Sequence, residues 1–515
     1  MNNIEKIKVT VYRYIPDRDS KPRYETFDLP YMPKMTVLDA LEYITEVIGA
    51  DIAYRSSCGT GRCGTCGVLV NGKPVLACMH PIKEEEITIE PLPNFPVLRD
   101  LVVDRSNQHE IVKKVKPFLV RKRPYNFTLG FSPDNVKNEE LRLAERFTCV
   151  HCMVCVATCP IIPGFKDWLG PRSFALTCRF TYDPRDDEDR IKDVHDQLWY
   201  CASCNACNNL CPYELDIRGG INDLRSKVVE VGLVPRTLQD ALSNIYKYGN
   251  PWGGLRDKRT QWSEGLNIKK IPEEKADYLY FVGCTPSYDI RAQEIARSTV
   301  AIFQKAKIDF GILGKGEICC GEPALRIGEK GLFEMTAKEN INTLNRCGVK
   351  KIVTTCPHGY NTFKKEYLKY GGDFEVTHHT QLILELIEKN KLVIDKKVNK
   401  VVTYHDPCFL SKHNNIYEAP RKILESIPGL TIVEMPRNRE NSFCCGGGGG
   451  RMWFEEKVEI RPSTIRAQEA AEVKPDIVAT SCPFCIINLE DGIKTIGKEE
   501  IKVKEITEIL LEAIR

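Results

Sequence analysis

Cysteine supplies most of the residues in this chain that could do redox or metal chemistry. The chain has 515 residues and 23 cysteines, and 21 of the cysteines fall into five ordered blocks. The first is Cys58, Cys63, Cys66 and Cys78. The second is Cys149, Cys152, Cys155 and Cys159, and the third is Cys201, Cys204, Cys207 and Cys211. Two sparser blocks follow: Cys284, Cys319, Cys320 and Cys356, then Cys408, Cys444, Cys445, Cys482 and Cys485. Cys178 and Cys347 stand alone. Soft thiolates at such spacings are ligands for iron–sulfur clusters or zinc. A series of them along one chain points to electron transfer.

The first block reads C-x4-C-x2-C with a distant fourth cysteine, the plant-type [2Fe–2S] pattern. Gly59, Gly61, Gly64 and Gly67 are expected to let the loop wrap a cluster closely, with positive φ angles. The second and third blocks each read C-x2-C-x2-C-x3-C-P. In the bacterial two-cluster arrangement the fourth cysteine of each run serves the other cluster. One [4Fe–4S] site is therefore expected from Cys149, Cys152, Cys155 and Cys211, and another from Cys201, Cys204, Cys207 and Cys159. Cys178 and Cys347 are expected as buried thiols.

The last two blocks are copies of one pattern about 125 residues apart. Cys284 aligns with Cys408, Cys319-Cys320 with Cys444-Cys445, and Cys356-Pro357 with Cys482-Pro483. Gly359 stands in the first copy where Cys485 stands in the second. A possible zinc ion or incomplete cluster is expected at Cys284, Cys319, Cys320 and Cys356, with His358 as a further donor; an empty site is the alternative. The run Gly446 to Gly450 lacks the GK[ST] of a phosphate loop and reads as close backbone approach to a cluster. His405-Asp406 reads either as a proton source for a thiolate or as a histidine satisfied by its carboxylate neighbour.

The elements that must hold these blocks can be read from periodicity. Ile7, Val9 and Val11 alternate with polar residues as a half-buried strand. Val37, Leu41, Ile44 and Ile48 fall on one helix face. Apolar runs at 278–282, 352–355, 401–404 and 477–480 read as buried parallel strands that deliver cysteines at their C-terminal ends. The expected architecture is multidomain. An α+β plant-type ferredoxin (β-grasp) domain spans 1–105, and an α-helical domain with two [4Fe–4S] clusters spans 106–240. A linker at 241–275 follows, with tryptophans able to pack at an interface. Two α/β repeats at 276–400 and 401–515 complete the chain, the second with the complete motif.

Bulk composition narrows the function classes. With 42% hydrophobic and 28% charged residues the chain is globular, and a net charge of +3 gives no strong nucleic-acid footprint. No run of 18 apolar residues and no charged-then-apolar leader are found, so a cytoplasmic protein without a membrane span is expected. No G-x-G-x-x-G follows a strand, so flavin is expected only in a partner.

Three stretches carry family resemblances. Arg55 to Cys78 and Pro91 to Leu101 resemble the iron–sulfur subunit of succinate dehydrogenase and fumarate reductase. Arg179-Phe180 and Asp183-Pro184-Arg185-Asp186 resemble the same family between its cubane runs. Cys204 fills a position that many of its members leave without cysteine, which implies [4Fe–4S] rather than [3Fe–4S]. The two C-terminal repeats resemble the CCG domains of heterodisulfide reductase, where five cysteines bind a non-cubane [4Fe–4S] cluster at which a disulfide is cleaved or formed. The fusion of the two resembles the iron–sulfur component of the thiol:fumarate reductases of methanogens. That resemblance implies catalysis at Cys408, Cys444, Cys445, Cys482 and Cys485, with coenzyme M and coenzyme B thiols oxidised to the heterodisulfide. It also implies relay through the two cubanes and the [2Fe–2S] centre to the FAD of a separate flavoprotein that reduces fumarate. Two other readings share the motifs: a succinate dehydrogenase or heterodisulfide reductase-type subunit serving a quinone or another carrier, and a zinc-stapled scaffold.

Overall fold

The computed structural model describes residues 5–122 and 143–514. The chain divides into two units, Met1–Gln197 with Asn205–Leu224, and Leu198–Cys204 with Arg225–Arg515.

In the first unit, strands β1 (Lys6–Arg13), β2 (Arg23–Pro30), β3 (Gly67–Val70), β4 (Lys73–Leu76) and β5 (Glu86–Glu90) form one sheet in the order β2-β1-β5-β3-β4. β1 runs antiparallel to β2 and parallel to β5. Alternation along β1 puts Ile7, Val9 and Val11 in the core, with Val37, Leu41 and Ile44 of helix α1 (Val37–Glu46). Thr36 starts α1 with a capping box to Asp39, which satisfies the free N–H groups of the first turn. Ile48, expected on the same helix face, lies beyond the helix end and is exposed, because the chain turns away at Gly49 (φ 80°). Asn71 and Gly72, both at positive φ, make the tight turn between β3 and β4. The core continues into Cys152, Val154 and Leu210 of the cubane runs.

The second unit holds two parallel sheets. Strands β6 (Lys269–Lys270), β7 (Tyr278–Tyr280), β8 (Phe310–Ile312), β9 (Lys351–Thr354) and β10 (Glu375–His378) run in the order β10-β9-β7-β8-β6. Strands β11 (Lys400–Tyr404), β12 (Leu430–Ile432), β13 (Ile477–Thr480) and β14 (Lys502–Glu505) run in the order β12-β11-β13-β14. Matching β7 with β11 and β9 with β13 superposes the two orders. One continuous core joins Tyr280, Val300 and Val353 to Val402, Ile477 and Ile509.

The segment 241–275, expected as a linker, is built into this unit. It supplies the edge strand β6 and a 3₁₀ helix, Arg256–Ser263, whose Trp262 is buried against Tyr280. Trp252 meets Trp453 edge-on at 5.8 Å. Asn250 is fully buried, and its side chain bonds Tyr248, Trp252 and Gly254, so the turn's backbone groups are paired without water. Low apolar periodicity hid this segment, because a two-residue edge strand and a 3₁₀ helix leave little pattern.

Candidate metal centres

At the first block, the loop before β3 turns its backbone toward sulfur. Thr60 N–H and Cys63 N–H lie 3.4 and 3.3 Å from Cys58 Sγ, and Gly61 N–H is 3.2 Å from Cys78 Sγ. The donors at Cys58 bring its thiol down to about 6. Cys66 and Cys78 Sγ are 3.4 Å apart, and burial lifts Cys66 to about 11. Backbone donors aimed at thiolates are what an iron–sulfur loop requires, so these residues fit the group. Gly59, Gly61 and Gly64 do have positive φ. Gly67 does not. It is extended in β3, and a Cβ there would stand 2.7 Å from the Cys152 carbonyl. A Cβ on Gly64 would stand 1.9 Å from the Val150 carbonyl. Both glycines thus admit the next cysteine loop as well as the turn itself.

Cys149, Cys152, Cys155 and Cys211 line one cavity together with Met153, Arg172 and Tyr213. The four cysteines expected as one crossed set are thus brought to one cavity. Met153 and His151 adopt positive φ, a strain that accompanies pointing three closely spaced thiols inward. His151 N–H lies 3.3 Å from Cys149 Sγ, and burial raises the thiols of Cys149, Cys152 and Cys155. Arg172 is buried beside them and donates to His151 Nδ1 at 3.1 Å. Cys178 is fully buried, while Cys347, expected to be buried, is half-exposed.

Of the other cubane set, Cys159 and Cys207 belong to the first unit, and Cys201 and Cys204 to the second. Around Cys201 stands Arg225, fully buried. Among the described residues its hydrogen bonds go to the carbonyls of Leu198, Cys201, Arg326 and Gly449 and to no carboxylate, and it lies 5.6 Å over the Trp199 ring. Burial brings this guanidinium down to about 10, opposed by the Cys201 thiolate. A buried cation with no carboxylate hydrogen-bond partner among the described residues fits a site that carries thiolate and cluster charge.

The five cysteines of the last block gather at the C-terminal ends of β11, β12 and β13, all buried. Cys408 and Cys444 Sγ are 3.9 Å apart, Cys445 and Cys485 Sγ 3.4 Å. Cys204 hydrogen-bonds Cys444, a contact that spacing alone did not reveal. Cys482 begins the helix Pro483–Thr495 and Cys485 sits in its first turn. The glycine run serves this neighbourhood in another way than expected. A Cβ on Gly448 or Gly449 would stand 2.5 Å from the Ala202 carbonyl or 2.3 Å from the Cys201 carbonyl. The run brings its backbone against the Cys201–Ser203 loop. His405 and Asp406 do not pair with each other. Asp406 accepts two bonds from Arg421, and His405 Nδ1 accepts from Arg466. Burial and Arg466 hold His405 down to about 3.

In the first repeat, Cys284, Cys319, Cys320 and Cys356 line one cavity with Glu322 and His358. Arg259, from the segment expected as a linker, reaches Cys284 Sγ at 3.7 Å and pairs with buried Glu317 at 2.6 Å. A hydrogen bond from Cys319, together with Arg259, holds the Cys284 thiol below its ordinary value. His358 is not free to join these cysteines. Its Nδ1 is 3.0 Å from Glu322, its ring stacks on Phe409 at 4.0 Å, and it hydrogen-bonds Cys482. Burial works against its charge, but Glu322 and Cys482 lift it to about 10.

These sites define a multi-centre iron–sulfur protein. Residues 8–110 match the 2Fe-2S iron-sulfur cluster binding domain, 146–215 the 4Fe-4S dicluster domain, and 278–364 and 402–490 the Cysteine-rich domain. The chain is 32% identical over 508 residues to the B component of the fumarate reductase (CoM/CoB) of Methanothermobacter marburgensis, covering 98% of each, and it belongs to that family. It is 31% identical over 395 residues to the D component of the dihydromethanophenazine:CoB–CoM heterodisulfide reductase of Methanosarcina barkeri, covering 73% of this chain and 95% of the relative. A hypothetical protein of Helicobacter pylori, 13% identical, shares the fold with a TM-score of 0.59 over 100% of this chain and 95% of its own.

Proposed function

We propose that the chain is the iron–sulfur and thiol-oxidising subunit of a fumarate reductase. In this reading it oxidises coenzyme M and coenzyme B thiols to their mixed disulfide, releasing two protons and two electrons. A flavoprotein partner with FAD takes up the electrons and reduces fumarate to succinate with two protons. The observation that carries the reading is the five-cysteine set Cys408, Cys444, Cys445, Cys482 and Cys485, with Cys204 of the cubane run hydrogen-bonded to Cys444. The activities for which the relatives are named support it from a second direction.

When bound, iron–sulfur clusters supply one-electron acceptors, which a two-electron thiol oxidation needs in series. Cys58, Cys63, Cys66 and Cys78 would hold a [2Fe–2S] cluster. Two [4Fe–4S] clusters would use Cys149, Cys152, Cys155 and Cys211, and Cys201, Cys204, Cys207 and Cys159. The five-cysteine set would hold the non-cubane one. His358, kept charged by Glu322, holds positive charge against Cys482 Sγ. Phe484 and Trp453 line the adjoining cavity and give it apolar walls. The first repeat, with one ligand fewer, suits zinc or a structural role. No described helix is long and apolar enough to cross a membrane.

The test is anaerobic EPR of the full chain during titration with coenzyme M and coenzyme B. The expected result is that both thiols together perturb or reduce a centre that Cys485→Ser abolishes. If neither thiol changes any centre while a quinol does, the thiol assignment is wrong.

A further inference from the structure

His405 is fully buried, and its surroundings fix where its proton sits. Arg466 Nε donates to His405 Nδ1 at 3.1 Å. A guanidinium nitrogen only donates, so Nδ1 is the acceptor, and the proton of the neutral ring is on Nε2. Nε2 has no hydrogen-bond partner among the described residues, sulfur included, although it is buried. A ring nitrogen of His405 and the Sγ atoms of Cys445 and Cys485 all lie within 4.8 Å of one another. The ring cannot turn away. His405 N–H bonds the Ala479 carbonyl at 2.8 Å, its own carbonyl accepts from Thr480, and Arg466 is itself anchored to Glu469 and the Arg437 carbonyl.

We propose that, when a centre is held by Cys445 and Cys485, the unpartnered His405 Nε2–H becomes a hydrogen-bond donor to its sulfurs and raises its reduction potential. The inference rests on the reading of the five-cysteine set as a cluster site. His405 would be a positioning residue that acts through the sulfurs. It is not a further ligand, because Arg466 occupies the Nδ1 lone pair and Nε2 carries the proton. A donor to sulfur stabilises the electron-rich reduced state more than the oxidised one, so it favours reduction. The first repeat has Phe281 at the aligned position, also buried, which donates nothing. There, charge is brought instead by Arg259 at Cys284. The two repeats therefore differ in what faces their sulfurs as well as in cysteine count.

The test uses the full chain, purified anaerobically with its clusters reconstituted. His405→Phe installs the residue of the first repeat, and His405→Gln keeps an N–H near the Nε2 position. Iron and acid-labile sulfide are measured first, then midpoint potentials by EPR-monitored titration. The expected result is unchanged iron content, a lower potential in His405→Phe, and a return toward the wild-type potential in His405→Gln. Wild-type ENDOR should also show a proton coupling that disappears in D2O and is absent from His405→Phe. An unchanged potential in a fully loaded His405→Phe overturns the proposal, as does a strongly coupled nitrogen typical of a ligating histidine in the wild type. Should His405→Phe not fold, the wild-type ENDOR comparison decides by itself. If Cys485→Ser leaves every paramagnetic centre intact, the cluster reading of the second repeat fails and takes the proposal with it. A Cys485-dependent centre that ignores His405 removes the proposal alone.

Discussion

Single residues carry the electrostatics of these sites. Arg225 is the sharpest case, because its guanidinium is wholly buried and its hydrogen bonds among the described residues go to carbonyl oxygens, one of them on Cys201. Arg225→Met removes the donors to the carbonyls of Cys201, Arg326 and Gly449, while Leu198 keeps the Cys201 N–H. Each unsatisfied buried acceptor costs about 1–3 kcal/mol, so a loss of several kcal/mol is expected in a denaturant melt. Arg225→Lys should recover only part of it, since one ammonium cannot reach the same spread of carbonyls. Gly359 offers the complementary experiment. A Cβ at this position meets nothing closer than 3.9 Å, so the missing fifth cysteine can be supplied without a clash. Gly359→Cys is expected to bind additional iron in the first repeat on anaerobic reconstitution. Iron analysis and a new EPR signal would read this out, and iron content equal to wild type would show that the cavity rejects a cluster for reasons beyond ligand count.

At the scale of elements, parallel strands do the positioning. Each repeat sends its cysteines off the C-terminal ends of its strands, where helix starts follow and thiolate charge is favoured. The loops between them are held by close backbone contact. Gly449→Ala would push a Cβ to 2.3 Å from the Cys201 carbonyl at a φ of +69°. Gly497 has a similar φ of +65° with nothing within 4 Å. Gly497→Ala is thus expected to cost only the left-handed strain, about 1–2 kcal/mol. Gly449→Ala should cost clearly more and reduce the iron bound at the Cys201 run. Paired thermal melts with iron analysis check the difference, and equal losses would show that the contact has little weight. The sequence made the strands at 278–282, 352–355, 401–404 and 477–480 legible, because buried β-branched runs have few other uses. It did not make 256–270 legible as part of a sheet and a cysteine site, because Arg259 and Trp262 stand in a polar stretch with no period.

Across the whole molecule, buried cations and backbone donors face sulfur in both units: Gly61 at Cys78, Ser203 at Cys201, Arg259 at Cys284 and Gly446 at Cys444. Such a chain should be more stable with its clusters than without, since ligand binding to the folded state adds to folding free energy. Anaerobic removal of iron by a chelator is expected to lower the melting temperature in calorimetry and to broaden the transition. An unchanged melt would mean that the thiols pack equally well without iron. Sequence by itself determined the inventory: five cysteine blocks, their order, and the inequality that Gly359 introduces between the repeats; it also led us to expect Cys211 beside Cys149, Cys152 and Cys155, which line one cavity with it. These are legible because ligand chemistry requires particular residues at particular local spacings. Tertiary structure alone decided which groups surround the sulfurs. His405 was ambiguous until Arg466, sixty-one residues away, took its Nδ1. Cys204 gave no sign of meeting Cys444, and His358 none of meeting Cys482. Those partners come from distant segments brought together by the folding of two sheets around one core, and no local pattern encodes a contact of that kind.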